Sequence, residues 1–170
     1  MNKTYDLFLN GKLKIIQPSD GYRAATDPVF LAASIQANSG QTVLDIGSGV
    51  GVASLCLGAR IKGLSLNGIE LQHKYASMSE ANAIENSMNL NVINANLEDL
   101  PSEFRQKSFD HVMTNPPFFI PNTLSEPIFK HTRRYSPLRG LTSSSSGGLR
   151  PRVFFPLRAK KKLLTLFVLI

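Results

Sequence analysis

Short apolar runs alternate with longer mixed stretches along the first two-thirds of the chain. This rhythm predicts strands separated by helices. Thr42 to Ile46 is a compact apolar strand, and Leu64 to Glu70 a second, with Gly68 near its end. Asn91 to Asn94 is a short third strand and Phe109 to Thr114 a fourth. Between them, Val50 to Arg60 suits a helix, and Leu71 to Met88 places Ala76, Ala81, Ile84 and Met88 close to one helical face. Ahead of the first strand, Asp27 as N-cap and Pro28 at the first helical position predict a helix start that runs on through Val29 to Ala37. Ser39-Gly40 ends that helix. Pro101 and its polar neighbours read as loop. The succession predicts an α/β fold with a doubly wound parallel sheet and right-handed crossovers. Such sheets bind ligands at the carboxyl ends of their strands.

Composition changes the picture mainly at the far end. The 170 residues fit one domain, and 42% hydrophobic with 18% charged residues are globular values. The single cysteine, Cys56, lies in an apolar run and reads as a small buried hydrophobe; it cannot form an internal disulfide, so a reducing, cytoplasmic compartment is expected. Met1 to Asp6 has no apolar segment after its charge, so no signal peptide is read there, and no apolar run approaches the ~18 residues of a membrane span. The net charge of +7 suggests a nucleic-acid binder until it is divided along the chain. Residues 1–129 hold 9 Lys and Arg against 12 Asp and Glu, a net −3. Residues 130–170 hold 10 basic residues and no acid, a net +10. The basicity therefore belongs to the tail and does not argue for an RNA substrate. That tail contains a low-complexity linker, Ser143 to Gly148, and a Lys160-Lys161-Lys162 run. It reads either as a native basic arm or as a segment from another reading frame or from cloning, the second being preferred. His73, His111 and His131 are scattered without metal-ligand spacing, so no metal is expected.

Two motifs carry the chemistry. Asp45-Ile46-Gly47-Ser48-Gly49-Val50-Gly51 follows the first strand and opens a helix. A glycine cluster alone is often only a tight turn. Here Val52 stands where a dinucleotide fingerprint needs its third glycine, and no Gly-Lys-Ser/Thr follows, which excludes a P-loop. Glu70 ends the next strand, where its carboxylate can accept two hydrogen bonds side by side. The second motif, Asn115-Pro116-Pro117-Phe118, begins at the end of the fourth strand. Asn-Pro is a common turn signal, so position gives this motif its meaning. An exocyclic or amide amine is a poor nucleophile because its lone pair is delocalised. The Asn115 side-chain carbonyl and the Pro116 backbone carbonyl can each accept one of its N–H bonds. Both oppose the positive charge that develops on nitrogen during attack. The prolines stiffen the loop, and Phe118 offers a face for stacking a base.

The glycine loop resembles the first motif of class I S-adenosylmethionine-dependent methyltransferases. That resemblance implies S-adenosyl-L-methionine as cofactor, with Asp45 near its amino end, Gly47, Gly49 and Gly51 under its methionine and ribose, and Glu70 on the ribose hydroxyls. Asn96, followed by Leu97, stands where many members place an Asp against the adenine. The Asn115 motif matches the amino-methyltransferase branch, [DNS]-P-P-[FYW]. Gln17-Pro18-Ser19-Asp20-Gly21-Tyr22-Arg23, with Asp27 and Phe30-Leu31-Ala32-Ala33, resembles the bacterial tRNA adenine-N6 methyltransferases that modify a valine tRNA. Tyr22 and Arg23 are then candidates to close over the donor or touch substrate, against local packing and a surface charge. The likeness runs from about residue 5 to 120 and implies N6-methylation of adenine in tRNA. The alternatives are glutamine-N5 methylation of a protein, or an inactive remnant that binds nucleoside or RNA. The domain is expected over residues 1–125, followed by the tail, 126–170. The family continues past this motif with another helix and three strands, so the fold is expected to be incomplete after the fourth strand. Val153 to Leu157 and Leu163 to Ile170 are the apolar segments available to cover the exposed edge.

Overall fold

The computed structural model describes residues 2–115 and the backbone of Arg158–Ala159 and Thr165–Phe167. The chain opens with an antiparallel hairpin, β1 (Lys3–Phe8) and β2 (Leu13–Pro18), in register Lys3 to Pro18 through Phe8 to Leu13. Its turn uses three consecutive residues of positive φ: Leu9 (51°), Asn10 (55°) and Gly11 (80°). The hairpin was not anticipated from the hydrophobic pattern. Its inner positions Leu13, Ile15 and Gln17 are buried, and Leu13 and Ile15 belong to the core of the following domain.

Helix α1 (Asp27–Ser34) is followed by β3 (Thr42–Ile46), α2 (Val52–Arg60), β4 (Ser65–Glu70), α3 (His73–Glu85) and β5 (Leu90–Asn94). After a 3-10 turn, Leu97–Asp99, come α4 (Ser102–Arg105), β6 (Ser108–Phe109) and β7 (His111–Thr114). The sheet order is β5-β4-β3-β7, all parallel, as an α/β doubly wound fold requires. The exposed edge expected beside β7 is paired in parallel with β9 (Thr165–Phe167), Val112 opposite Thr165. Arg158–Ala159 (β8) pairs with β6. The strands grow outward from β3 to β5 and then return to its other side with β7. That reversal puts the switch point of the sheet between β3 and β7, where open α/β sheets leave a ligand crevice.

Four features differ from expectation. Asp27 does not cap α1: Thr26 is the N-cap, and its carbonyl accepts from Val29 and Phe30 at 2.9 and 3.1 Å. The same helix stops at Ser34, and Arg60 Nη2 donates to the Ala32 carbonyl at 2.9 Å and to that of Ile35. Helix α3 ends before Met88 because Ser87 adopts φ 52°. The Ser87 and Met88 amides then close back on Ile84 and Ala83 at 3.0 and 2.9 Å, a Schellman stop. The segment after Pro101 forms α4 rather than loop, with Phe104 fully buried against Phe109 at 5.5 Å between centroids.

Candidate functional site

The carboxyl end of β3 runs straight into the glycine loop. Gly47, Gly49 and Gly51 all have positive φ, at 70°, 56° and 87°. They differ in what surrounds them. A Cβ on Gly47 or Gly49 would meet nothing within 4 Å, so these two face open space. A Cβ on Gly51 would stand 2.4 Å from Ser79 Oγ, so this glycine lets α3 pack against the loop. The Gly47 and Ser48 amides donate to the Ile69 carbonyl at 2.8 and 3.1 Å, tying the loop to β4.

Two carboxylates stand behind the loop. Asp45, on β3, is buried and accepts from Ser54 Oγ at 2.9 Å. Burial pushes its carboxyl up to about 7, a rise the Ser54 hydrogen bond opposes and the charge of Glu70 reinforces. Such a group gains from a cation placed beside it. Glu70, at the end of β4, accepts from the Gly49 amide (Oε2, 2.9 Å) and the Gln72 amide (Oε1, 2.8 Å). Its pKa is raised by burial, against the lowering effect of the backbone amides around it.

The cleft above the switch point is lined by Tyr22, Pro28, Asp45, Gly47, Gly49 and Asn115, among others. Asn115 follows β7 directly. Its Oδ1 is buried without a hydrogen-bond partner among the described residues, and its Nδ2 lies 3.5 Å from Tyr22 Oη. A buried acceptor of that kind costs stability unless a ligand supplies the donor. Burial raises the Tyr22 phenol, with Asp27 and Asp45 adding to the rise.

The structure thus brings Asp45, Gly47, Gly49, Tyr22 and Asn115 to one cleft, with Glu70 bonded to its loop. Arg23 is placed elsewhere: it donates to Thr4 Oγ1 (2.6 Å), the Pro18 carbonyl (2.9 Å) and Asp6 Oδ2 (2.6 Å), binding β1 to the loop after β2. Asn96 and Leu97 sit after β5, where the Asp99 amide donates to the Asn96 carbonyl at 3.0 Å. Pro116, Pro117 and Phe118 lie outside the described residues. Sequence reasoning missed Ser54 and Pro28. Ser54 had a signal, since a hydroxyl in the first turn of α2 faces back toward the strand it follows.

The arrangement fits S-adenosylmethionine. Two open glycines leave room for a ligand against the backbone, Asp45 places a carboxylate at the cleft, and Asn115 presents an acceptor without a partner among the described residues. Among the described residues, no group of three or more side chains could hold a metal ion. No helix among them is long and apolar enough to cross a membrane.

Comparison with known proteins agrees with this geometry. Over 128 residues the chain is 32% identical to the tRNA1(Val) (adenine(37)-N6)-methyltransferase of Pedobacter heparinus, an overlap of 71% of this chain and 53% of that protein. It is also 32% identical over 107 residues to the release factor glutamine methyltransferase of Fusobacterium nucleatum, covering 62% of this chain and 29% of the relative. The chain spans about half the length, or less, of these curated relatives. Among solved structures, a SAM-dependent methyltransferase from Agrobacterium tumefaciens superposes with a TM-score of 0.53 at 17% identity, over 68% of this chain and 40% of that one, a likeness of fold. The family model for the methyltransferase small domain matches residues 25–135, a span that includes the glycine loop and the Asn115 motif, and the chain belongs to that family.

Proposed function

We propose that this chain carries the donor-binding half and the amine-recognition motif of an S-adenosylmethionine-dependent methyltransferase that modifies an adenine N6 amino group in tRNA, in the cytoplasm. The observation that carries this reading is the buried, partnerless Oδ1 of Asn115 beside the glycine loop. The names of the Pedobacter heparinus relative and its kind support adenine in tRNA as the substrate.

Asp45 and the open faces of Gly47 and Gly49 hold the donor, and Glu70 fixes the loop while keeping lone pairs for ribose hydroxyls. When bound, S-adenosylmethionine supplies an electrophilic methyl group. Asn115 Oδ1 accepts one N–H of the amine and fixes the direction of its lone pair. It also opposes the positive charge that grows on nitrogen, so its bond strengthens toward the transition state. Pro116 is assigned the second acceptor and Phe118 the stacking face, both from the sequence motif.

The test is methyl transfer to bulk tRNA that lacks the modification. Transfer is expected on tRNA, and Asn115→Ala is expected to lower it by about 10²–10³ while leaving donor binding in place. Unchanged turnover in that variant refutes the role of Asn115. Transfer only to a protein substrate overturns the adenine reading in favour of glutamine-N5 methylation, the activity named for the Fusobacterium nucleatum relative. Donor binding without any transfer favours the nucleoside-binding remnant.

A further inference from the structure

The N-terminal hairpin has two unlike faces. Its inner face buries Leu13, Ile15 and Gln17. Its one acid, Asp6, is bound there by Gln17 Nε2 at 2.7 Å and Arg23 Nη2 at 2.6 Å. The outer face carries Lys3, Tyr5 and Leu7 of β1 across from Pro18, Ile16 and Lys14 of β2. Tyr5 is 60% exposed and Leu7 70% exposed, on a domain whose other large hydrophobics are mostly buried. Lys12 stands exposed at the turn. No acidic side chain of the hairpin faces outward. Nearby, Glu85 is paired with Lys14 at 2.9 Å, and Asp20 accepts from Ser19 Oγ at 3.2 Å. Lys3 and Lys12 have no ion-pair partner among the described residues. Lys14 Nζ also lies 4.7 Å from the centre of the Tyr5 ring.

We propose that this outer face is an RNA-docking surface that leads the substrate strand toward Asn115, an inference that rests on the tRNA reading above. An exposed aromatic ring with unpaired lysines at the open end and the turn of the hairpin suits a nucleobase stacked on Tyr5 and phosphates at Lys3 and Lys12. Strand rise separates those two ends by about 17 Å. Lysines around the aromatic disfavour an ordinary protein contact, whose core is depleted in Lys. The patch is not a reflection of average charge, because residues 1–129 are net acidic. The hairpin is also joined to the site along the chain. The end of β2 beside Lys3 leads into the loop that carries Tyr22, which lines the cleft.

The test measures unmodified tRNA binding to the full chain by fluorescence anisotropy across a salt series. Three variants are compared with the parent: Lys3→Gln with Lys12→Gln, Tyr5→Ala, and Tyr5→Phe. All these positions are exposed, and binding of S-adenosylhomocysteine by calorimetry checks that the fold and donor site are intact. The double lysine variant is expected to bind about tenfold more weakly, with a log–log salt slope shallower by roughly 0.7 per lost phosphate contact. Tyr5→Ala is expected to lose roughly tenfold, and Tyr5→Phe to retain parent affinity because the ring remains. The basic tail is identical in every variant, so any difference belongs to the hairpin. If the parent binds tRNA and the variants match it in affinity and slope, the docking surface is overturned and the tRNA reading stands. If the parent binds no tRNA, the tRNA reading falls and the docking surface with it. If the variants lose binding to a release factor instead, the surface docks protein and the RNA proposal is overturned.

Discussion

The glycine loop and the N-terminal hairpin meet at Asn82, and they are held in opposite ways. The loop is shaped by its own backbone: three glycines at positive φ, and amides bonded to β4. The hairpin is held by side chains far away in sequence. Asn82 of α3 accepts from the Ile16 amide at 2.6 Å and donates to the carbonyls of Ile16 and Val50 at 3.0 and 2.9 Å. One turn on, Asn86 accepts from the Lys14 amide at 3.0 Å and donates to its carbonyl at 2.9 Å. Two asparagines spaced i, i+4 thus act as a substitute strand along the free edge of β2. A local device can be recognised from residue types in a row. A device whose parts lie about 70 residues apart cannot, although both support one cleft.

The largest effect should come from the residue the two regions share. Asn82→Ala leaves the Ile16 amide and the carbonyls of Ile16 and Val50 without partners, and should cost about 4 kcal/mol of stability. Donor affinity should fall with it. A loss below about 1 kcal/mol in chemical denaturation, with donor binding intact, would show that the loop stands without the hairpin.

Within the loop, Gly51→Ala should cost about 3 kcal/mol, from left-handed strain plus a methyl forced onto Ser79. Gly47→Ala should cost only about 1 kcal/mol in stability, since its methyl enters open space, yet weaken donor binding more than its stability loss suggests. Equal stability costs at the two positions would contradict the division of labour between packing glycine and cradle glycine.

The last effect concerns Asp45 and appears only as pH rises. Its folded pKa, about 7, lies above the ordinary aspartate value of 3.8. Between these values the folded state holds a proton that the unfolded chain has lost. Stability from this group is therefore complete below pH 4 and is lost as pH rises through 7. Asp45→Asn should remove that loss, so the variant should exceed the parent by about 4 kcal/mol at pH 8 and match it near pH 4. Parallel denaturation curves at pH 4, 6 and 8 measure this, and a gap that does not widen with pH would mean that the carboxylate is solvated.

These contrasts explain what was legible in the sequence. Strands 42–46, 65–70, 90–94 and 111–114 fall within two residues of their expected limits; β3, β4 and β7 are buried parallel strands, while the half-exposed edge strand β5 was legible only through its short apolar centre, Val92-Ile93. The glycine loop was legible through its spacing, and Asn115 through its place at a strand end. The hairpin was not: β1 runs Lys-Thr-Tyr-Asp-Leu-Phe, with no residue fully buried, and what fixes it is Arg23, Asn82 and Asn86. Arg23 drew attention as a candidate near donor or substrate because it lies in the Gln17 to Arg23 block that resembles the tRNA adenine-N6 methyltransferases. Its partner, Asp6, could be found only in three dimensions. Capping was misplaced at Asp27 because Thr26 and Asp27 are both good caps, and backbone geometry alone decides between them.

The order of the sheet also sets an order in time. Joining β3 to β4 brings together residues such as Val43 and Asn67, 24 apart. Joining β3 to β7 brings together Ile46 and Thr114, 68 apart, which costs about 1 kcal/mol more in loop-closure entropy. The strands bearing Asp45 and Glu70 can therefore zip up while Asn115 is still emerging from the ribosome. The nascent chain would complete its cradle for the donor first and acquire its grip on the acceptor afterwards.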